Sequence, residues 1–141
     1  MAEINAYLNF NGNTEEVFNF YRSVFGGEFT MLSRFKDTDP QGAMDASERE
    51  KIMHVRLPIG RSSVLMGSDN IESRGLSVAG SNFSIAVAPD SEAEATQIFN
   101  GLAAGGQVTL PMHHAPWGAF FGMLTDKFGI AWMVNYEKNQ A

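Results

Sequence analysis

The sequence contains no cysteine. It can therefore form no disulfide, and it offers neither a thiolate nucleophile nor a thiolate ligand for a metal, which favours a cytoplasmic location. Long apolar runs are also missing, since none approaches the roughly 20 residues that a membrane-crossing helix needs. The first residues have no basic segment followed by an apolar stretch, so we expect no secretory signal and no membrane partner.

Positive charge is scarce as well. Ten lysines and arginines face 16 acidic residues, for a net charge of −6 and a pI of about 4.9. Such a chain is repelled by phosphate backbones, so we expect no nucleic-acid partner. Apolar residues make up 44% of the 141 residues, which is typical of a globular chain, and we expect one domain spanning 1–141.

An internal repeat is the strongest feature that is present. Residues 5–28 read NAYLNFNGNTEEVFNFYRSVFGGE, and residues 82–107 read NFSIAVAPDSEAEATQIFNGLAAGGQ. At an offset of 82 − 5 = 77, Leu8 aligns with Ile85 and Glu15 with Glu92. Both segments predict a strand, a capped amphipathic helix and a Gly-Gly terminator, so we infer two modules, at about 1–68 and 82–141.

Periodicity predicts the elements of each module. The buried face of the first strand is assigned to Ile4, Ala6, Leu8 and Phe10, and that of its counterpart to Phe83, Ile85 and Val87. The predicted helix caps are Asn13 or Thr14 in the first module and Ser91 in the second. Three strands should follow each helix, near 28–36, 51–59 and 62–68, then near 107–113, 118–125 and 131–136. We interpret 37–50 as a mobile loop and 69–81 as a linker.

Four stretches carry a family resemblance: YLNFNGNTEEVFNFYRSVFGGE, IMHVRLPIGRSSVLMGSD, PWGAFFG and TDKFGIAWMVN. The chain resembles the PhnB-like branch of the vicinal-oxygen-chelate superfamily, which includes glyoxalase I, extradiol dioxygenases and bleomycin-resistance proteins. The resemblance implies an α+β fold in which two βαβββ modules form a curved mixed β-sheet around a cleft, with the helices on the convex side. It also implies a homodimer. A ubiquinone methyltransferase label is common in this branch, but no glycine-rich turn between a strand and a helix supports a nucleotide-type cofactor.

Alternation along the strands predicts which residues line that cleft. In the third strand Met53, Val55, Leu57 and Ile59 are assigned to the helix side, which leaves Ile52, His54 and Arg56 for the cleft. In the last strand Trp132 and Val134 are assigned to the helix side. For the strand near 118–125, within PWGAFFGMLTD, alternation does not decide which side chains face the cleft, because both alternating sets contain large apolar residues. The candidate ligand-binding residues are Asn5, Tyr7, Asn9, His54, Arg56, Met66, Asn82, Trp117, Met133 and Asn135.

The resemblance also places the metal ligands of related enzymes. Their positions correspond here to Asn5, Leu65 or Met66, Asn82 and Met133. Amides and thioethers bind Ni²⁺, Zn²⁺ or Fe²⁺ poorly, so we expect neither a metal nor another cofactor. His113 and His114 are adjacent on a predicted strand, so they point to opposite faces and we assign them to the surface.

Two functions remain open at this stage. The first is a metal-free protein that binds a small, partly aromatic or anionic molecule in the cleft between the modules. The alternative is a lyase, isomerase or dioxygenase that recruits a metal or uses His54 as a general base. His54 could equally be a half-buried structural histidine, and Arg34 could line the cleft with Arg56 or lie in solvent. Whether the protein is an enzyme is undecided from these residues.

Overall fold

The computed structural model describes residues 1–138 and divides the chain into two compact units, Met1–Val78 and a second that begins at Ala79. Each unit has the order strand, helix and three strands, and each contains one four-stranded mixed sheet. The α+β class and the duplication are therefore confirmed. The unit boundary lies within the segment interpreted as a linker, although Asp69 at its start still belongs to a strand.

The first unit forms a sheet in the order β1-β4-β3-β2, in which β1 and β4 are parallel and the other neighbours antiparallel. Its elements are β1 (Tyr7–Phe10), α1 (Thr14–Phe25), β2 (Met31–Arg34), α2 (Ala46–Arg49), β3 (Ile52–Ile59) and β4 (Ser63–Asp69), with 3₁₀ turns at Phe35–Thr38 and Glu72–Arg74.

The second unit repeats this topology, with the order β5-β8-β7-β6 and a parallel β5–β8 pair. Its elements are β5 (Ile85–Val87), α3 (Glu92–Ala103), β6 (Gln107–His114), β7 (Ala119–Thr125) and β8 (Ala131–Glu137). The α3 helix is amphipathic, as predicted, and buries Ala95, Ile98, Phe99 and Leu102. Ser91 caps it as expected, because its Oγ accepts the Glu94 N–H at 3.0 Å.

Helix α1 lies close against the first sheet. Its Val17, Phe18 and Tyr21 side chains are completely buried. A Cβ atom at Gly67 in β4 would come within 2.7 Å of the Phe18 ring, so only glycine permits this approach. The helix ends at Gly26, whose φ of 81° is a conformation that favours glycine.

The start of α1 is held from the end of β4. Asn13 occupies the N-cap position, as predicted, but its side chain makes no capping hydrogen bond. The buried Asp69 carboxylate takes that role, because its Oδ1 accepts the N–H groups of Gly12 and Thr14, both at 3.0 Å. Its Oδ2 accepts the N–H of Ile52 at 2.8 Å, at the start of β3. One carboxylate thus joins three segments of the unit.

Several sequence predictions need correction. Ile4 and Phe83 were assigned to buried strand faces, but they are 99% and 55% exposed, because β1 and β5 begin after them. Ile52 is buried rather than on the face that carries His54. The cause is an irregular register: Arg34 pairs with Ile52 and Ser33 with His54, so one β3 residue lacks a partner and the alternation shifts.

The 37–50 segment contains more regular structure than a loop. It includes α2 and the end of a 3₁₀ turn. Ion pairs join Asp39 to Arg49 at 2.7 Å and Lys36 to Glu50 at 2.9 Å. None of these contacts measures mobility, so the expected motion of this segment stays a prediction.

Trp132 lies in the core of the second unit, as predicted from the alternation in β8. It is 1% exposed and shares its face with the buried Leu124 and Val134. Its indole Nε1 donates to the buried Asp126 carboxylate at 2.8 Å. Helix α3 packs on the β7 and β8 strands. The indole therefore contributes both packing and a buried hydrogen bond.

We expect Trp132→Ala to lower the free energy of unfolding by about 3–5 kcal/mol, as for other large buried aromatics. Trp117→Ala is the matched control, because Trp117 is 71% exposed, and its effect should stay within about 0.5 kcal/mol. Urea unfolding followed by far-UV circular dichroism measures both. Equal losses in the two variants would contradict the assigned core.

Candidate functional site

The sheet of the first unit has one face covered by α1 and one face directed away from it. On the α1 side, register aligns Leu8 with Gly67 and Gly67 with Val55, and all three are buried. The side chains of opposite parity form what we call the distal face. Its members are Tyr7, Asn9, His54, Arg56, Met66 and Ser68. Five of the predicted ligand-binding residues therefore lie on this one surface.

A tyrosine–histidine pair lies on the distal face. The Tyr7 hydroxyl and His54 Nδ1 are 3.2 Å apart and share a hydrogen bond whose direction depends on the tautomer. The two rings are nearly parallel, at 23°, with centroids 5.7 Å apart. Because this bond uses Nδ1, the remaining nitrogen, Nε2, is left for another group. Tyr7 is 43% exposed, so the pair is accessible from the distal side.

The charge state of His54 follows from its surroundings. Burial lowers the pKa of the imidazole below its ordinary value, and the nearby Arg56 charge lowers it further. His54 is therefore neutral at neutral pH. A neutral imidazole can donate from one nitrogen and accept at the other, so it can serve as a hydrogen-bond partner or as a weak base.

Arg56 lies beside this pair. In the register it is opposite Met66 on β4, which in turn is opposite Tyr7 on β1. The guanidinium Nη1 is 3.4 Å from the Met66 sulfur. The side chain is half-buried. The row Tyr7–Met66–Arg56 therefore combines an aromatic ring, a thioether and a positive charge across three adjacent strands.

Arg34, the other arginine considered from the sequence, does not join this row. Both of its terminal nitrogens donate to the Glu15 carboxylate of α1, at 3.1 and 2.7 Å. This contact lowers the pKa of Glu15 and raises that of Arg34. Arg34 thus pairs with the helix rather than lying free in solvent or on the distal face.

Polar side chains border the row. Ser68 Oγ donates to Asn9 Oδ1 at 3.4 Å, and Asn5, which precedes β1, accepts the N–H of Val64 at 3.3 Å. Ser68 and Ser33 were missed by the sequence analysis. Ser33 is opposite His54, and its buried Oγ has no hydrogen-bond partner within the described part of the chain. Only the cross-strand register, which the sequence does not contain, reveals this neighbour.

The second unit also has a face directed away from its helix. Met133 and Asn135 lie on it, opposite the buried Trp132 and Val134. The register settles the open parity of β7: Phe121 pairs with Asn135 and Met123 with Met133, so these residues share that face. Asn135 Nδ2 donates to Glu137 at 3.2 Å.

Two candidates lie outside the strands. Asn82 is exposed before β5, and Trp117 is exposed in the turn between β6 and β7. His113 and His114 contact different rings, Phe121 and Phe120. Adjacent strand residues that diverge in this way do not converge on one ion, and both histidines are exposed, in agreement with their assignment to the surface.

The positions that the resemblance assigns to the metal ligands of related enzymes hold Asn5, Leu65 or Met66, Asn82 and Met133, whose side chains do not suit a transition metal. Leu65 is buried in the core, so Met66 is the residue at that position on the distal face. The set is therefore two amides and two thioethers, which bind such ions poorly. Within residues 1–138, no three acidic or histidine side chains are grouped as a metal site requires. The metal-free state itself stays a prediction.

A cavity of about 310 Å³ lies elsewhere in the first unit. It is bordered by Met44 and Asp45 near α2 and by residues 71–73 after β4. None of the distal-face residues borders it.

Among the described residues, no helix has the length and apolar character needed to cross a bilayer.

The fold is shared with solved structures at lower identity, among them a glyoxalase-related enzyme from Fulvimarina pelagi, which is 21% identical with a TM-score of 0.57. Residues 2–135 match the family model described as 3-demethylubiquinone-9 3-methyltransferase. The chain belongs to this family, the PhnB-like branch of the vicinal-oxygen-chelate superfamily. The resemblance noted in the sequence is thereby confirmed.

Three relatives support this assignment. Protein YjdN of Escherichia coli (strain K12) is 30% identical over 97% of both chains. The structure of PA1353 from Pseudomonas aeruginosa is 42% identical, with a TM-score of 0.83 and coverage of 97% of this chain and 98% of that one. A PhnB protein from Bacillus cereus is 26% identical, with a TM-score of 0.73 and coverage of 96% and 99%.

The lowered pKa of His54 predicts a pH-dependent stability. Between the ordinary pKa of 6.5 and the lowered folded value, the unfolded chain binds a proton that the folded chain does not. Stability from the neutral imidazole is therefore complete above the ordinary pKa and is lost as the pH falls toward the folded value. The pKa values of Glu15, Glu50 and Asp39 are lowered as well. Their ordinary values are 4.5 for the glutamates and 3.8 for the aspartate, so these carboxyl groups affect stability only at lower pH.

We expect the melting temperature of His54→Gln to fall less than that of the wild type between about pH 7 and pH 5. Differential scanning calorimetry across this range measures the difference. His113→Gln, which changes an exposed histidine, is the control and should retain the wild-type fall. Superimposable profiles for His54→Gln and wild type would contradict the assignment.

Proposed function

We propose that this protein binds a small organic molecule on the distal face of its first sheet, without a metal ion. The observation that carries the proposal is the cluster of Tyr7, His54 and Arg56 on one surface, within hydrogen-bond or charge-interaction range of one another. Ligand sites combine apolar surface with a few convergent polar groups, and Met66 supplies apolar surface beside this cluster.

Binding is favoured over metal chemistry by the donor set. At the positions of the metal ligands of related enzymes, this chain has amide and thioether groups. These groups bind Ni²⁺, Zn²⁺ or Fe²⁺ too poorly for such an ion to polarise a substrate. In contrast, His54 Nε2 and the Arg56 guanidinium can contact a ligand directly, and neither needs a cation to do so.

We therefore expect protein purified without added metal to contain less than about one tenth of an equivalent of Ni²⁺, Zn²⁺, Fe²⁺ or Mn²⁺.

A catalytic role for His54 is the second candidate. The pair with Tyr7 fixes the imidazole through Nδ1, and the lowered pKa keeps it neutral and able to accept a proton at neutral pH. Such an arrangement could support a lyase or isomerase that removes a proton from a bound substrate. Turnover of a ligand by the wild type but not by His54→Gln, followed by NMR, distinguishes this candidate from binding alone.

The methyl transfer in the family's description finds little support in these residues. A nucleotide-type methyl donor is usually held by a glycine-rich turn between a strand and a helix. Here the β1–α1 connection reads Asn11-Gly12-Asn13, and the β5–α3 connection contains Pro89 and no glycine. Neither connection is a glycine-rich turn of that kind.

A homodimer is a further expectation, taken from the family. β2 and β6 are edge strands of their sheets, and Met31, Leu32 and Val108 are exposed on them. Exposed apolar residues on edge strands can support self-association. Light scattering coupled to size-exclusion chromatography tests this expectation.

Replacement of His54 should change ligand binding more than folding. We expect His54→Gln to weaken binding of compounds found in a mixed-charge fragment screen by about 1–3 kcal/mol, because a hydrogen bond to a partly desolvated imidazole is lost. The screen uses ¹H–¹⁵N correlation spectra, and titration calorimetry gives the affinities. The change in unfolding free energy should be smaller than the change in binding.

His113→Gln is again the matched control and should leave the affinities unchanged. A loss of stability in His54→Gln with unaltered affinity would assign the residue to the fold alone. Fragments that shift no amide of β1, β3 or β4 would remove the distal face as the binding surface.

A further inference from the structure

Arg56 differs from the other arginines on the strands and helices of the first unit. Arg22, Arg34 and Arg49 form ion pairs with Glu28, Glu15 and Asp39. Within the described part of the chain, no carboxylate lies within ion-pair distance of Arg56. Among these residues, the guanidinium's only polar contact is with the Met66 sulfur, which lies 3.4 Å from Nη1. A half-buried guanidinium without a counter-ion is unusual in a chain of net charge −6.

We propose that Arg56 is the specificity-determining residue of the distal face, and that it selects a small aromatic carboxylate. This inference rests on the binding function proposed above and names its ligand class. The guanidinium has a planar array of donors that matches the two oxygens of a carboxylate, so a ligand of this class would supply the missing counter-ion.

The neighbours of Arg56 favour a ligand with a planar aromatic ring next to that carboxylate. Met66 is opposite Arg56 on one side and Met31 on the other, and Tyr7 follows Met66 in the same row. Two thioethers and a phenol ring make an apolar and polarisable surface beside the charge. His54 lies two residues from Arg56 on the same strand face, so its Nε2 can reach a second polar group of the same ligand.

The amount of charge favours a carboxylate over a phosphonate or phosphate. His54 is neutral at neutral pH, so Arg56 contributes the positive charge of the distal-face set. One guanidinium neutralises a monoanion. A phosphate group carries about −1.5 to −2 charges at neutral pH and would retain uncompensated charge on an acidic protein.

The test compares three ligands of similar shape by titration calorimetry: benzoate, its neutral analogue benzamide, and phenylphosphonate. We expect benzoate to bind at least about tenfold more tightly than benzamide, as for a charge-assisted pair. Arg56→Gln should remove this preference. Arg56→Lys should retain only part of it, because lysine keeps the positive charge but lacks the paired N–H donors of the guanidinium.

Arg61→Gln is the matched control. Arg61 is exposed in the turn that joins β3 to β4, so the variant removes one positive charge from the same hairpin but not from the distal face. It should leave the benzoate preference intact. Circular dichroism establishes that each variant is folded, and Arg56→Lys keeps the test decisive if Arg56→Gln does not fold.

Three results would overturn the inference. Equal affinity for benzoate and benzamide would remove the anion selectivity, while binding on the distal face, and thus the proposed function, would still stand. Tighter Arg56-dependent binding of phenylphosphonate would replace the carboxylate with a different anion. Loss of the preference in Arg61→Gln as well would assign it to net charge rather than to Arg56.

Discussion

The Asp69 carboxylate is the contact on which the first unit depends. It accepts three backbone N–H groups, from Gly12, Thr14 and Ile52, which belong to segments that are far apart in the chain. Each would otherwise be a buried or half-buried donor without a partner in the strand ladder or the helix. Hydrogen bonds to a charged acceptor stabilise more than neutral ones, so this single side chain fixes where α1 and β3 begin relative to β4.

This constraint separates the two faces of the sheet. With α1 fixed over Gly67, the apolar residues of β1, β3 and β4 are used in the core, and every second residue is directed to the distal face. The distal face can therefore carry Tyr7, His54 and Arg56 without weakening the packing beneath α1. Stability and recognition are carried by alternate residues of the same strands.

Much of the fold could be predicted from the sequence. The repeat, the two long helices and all eight strands follow from local periodicity and from capping residues such as Ser91, which act within a few residues. The features that were missed are long-range. Asp69 lies 55 residues from Thr14, and the shift in parity at Ile52 arises from its pairing with β2, so neither leaves a local signal.

The candidate site was predictable to a similar extent. Alternation placed His54 and Arg56 on one face, but the sequence could not tell which arginine was neutralised. Glu15, which pairs with Arg34, is 19 residues away in the sequence, and only the packing of α1 on the sheet brings the two together. The contact between Tyr7 and His54 likewise depends on the order of strands, in which β4 lies between β1 and β3.

The central claim is that ligands bind on the distal face of the first sheet. Methyl NMR tests it most directly, because Met66 lies in the middle of that face and Met44 borders the separate cavity near α2. With ¹³C-methyl-labelled methionine, titration with benzoate should shift the Met66 signal, and the Met44 signal should stay in place. A shift of Met44 with an unchanged Met66 would contradict the account.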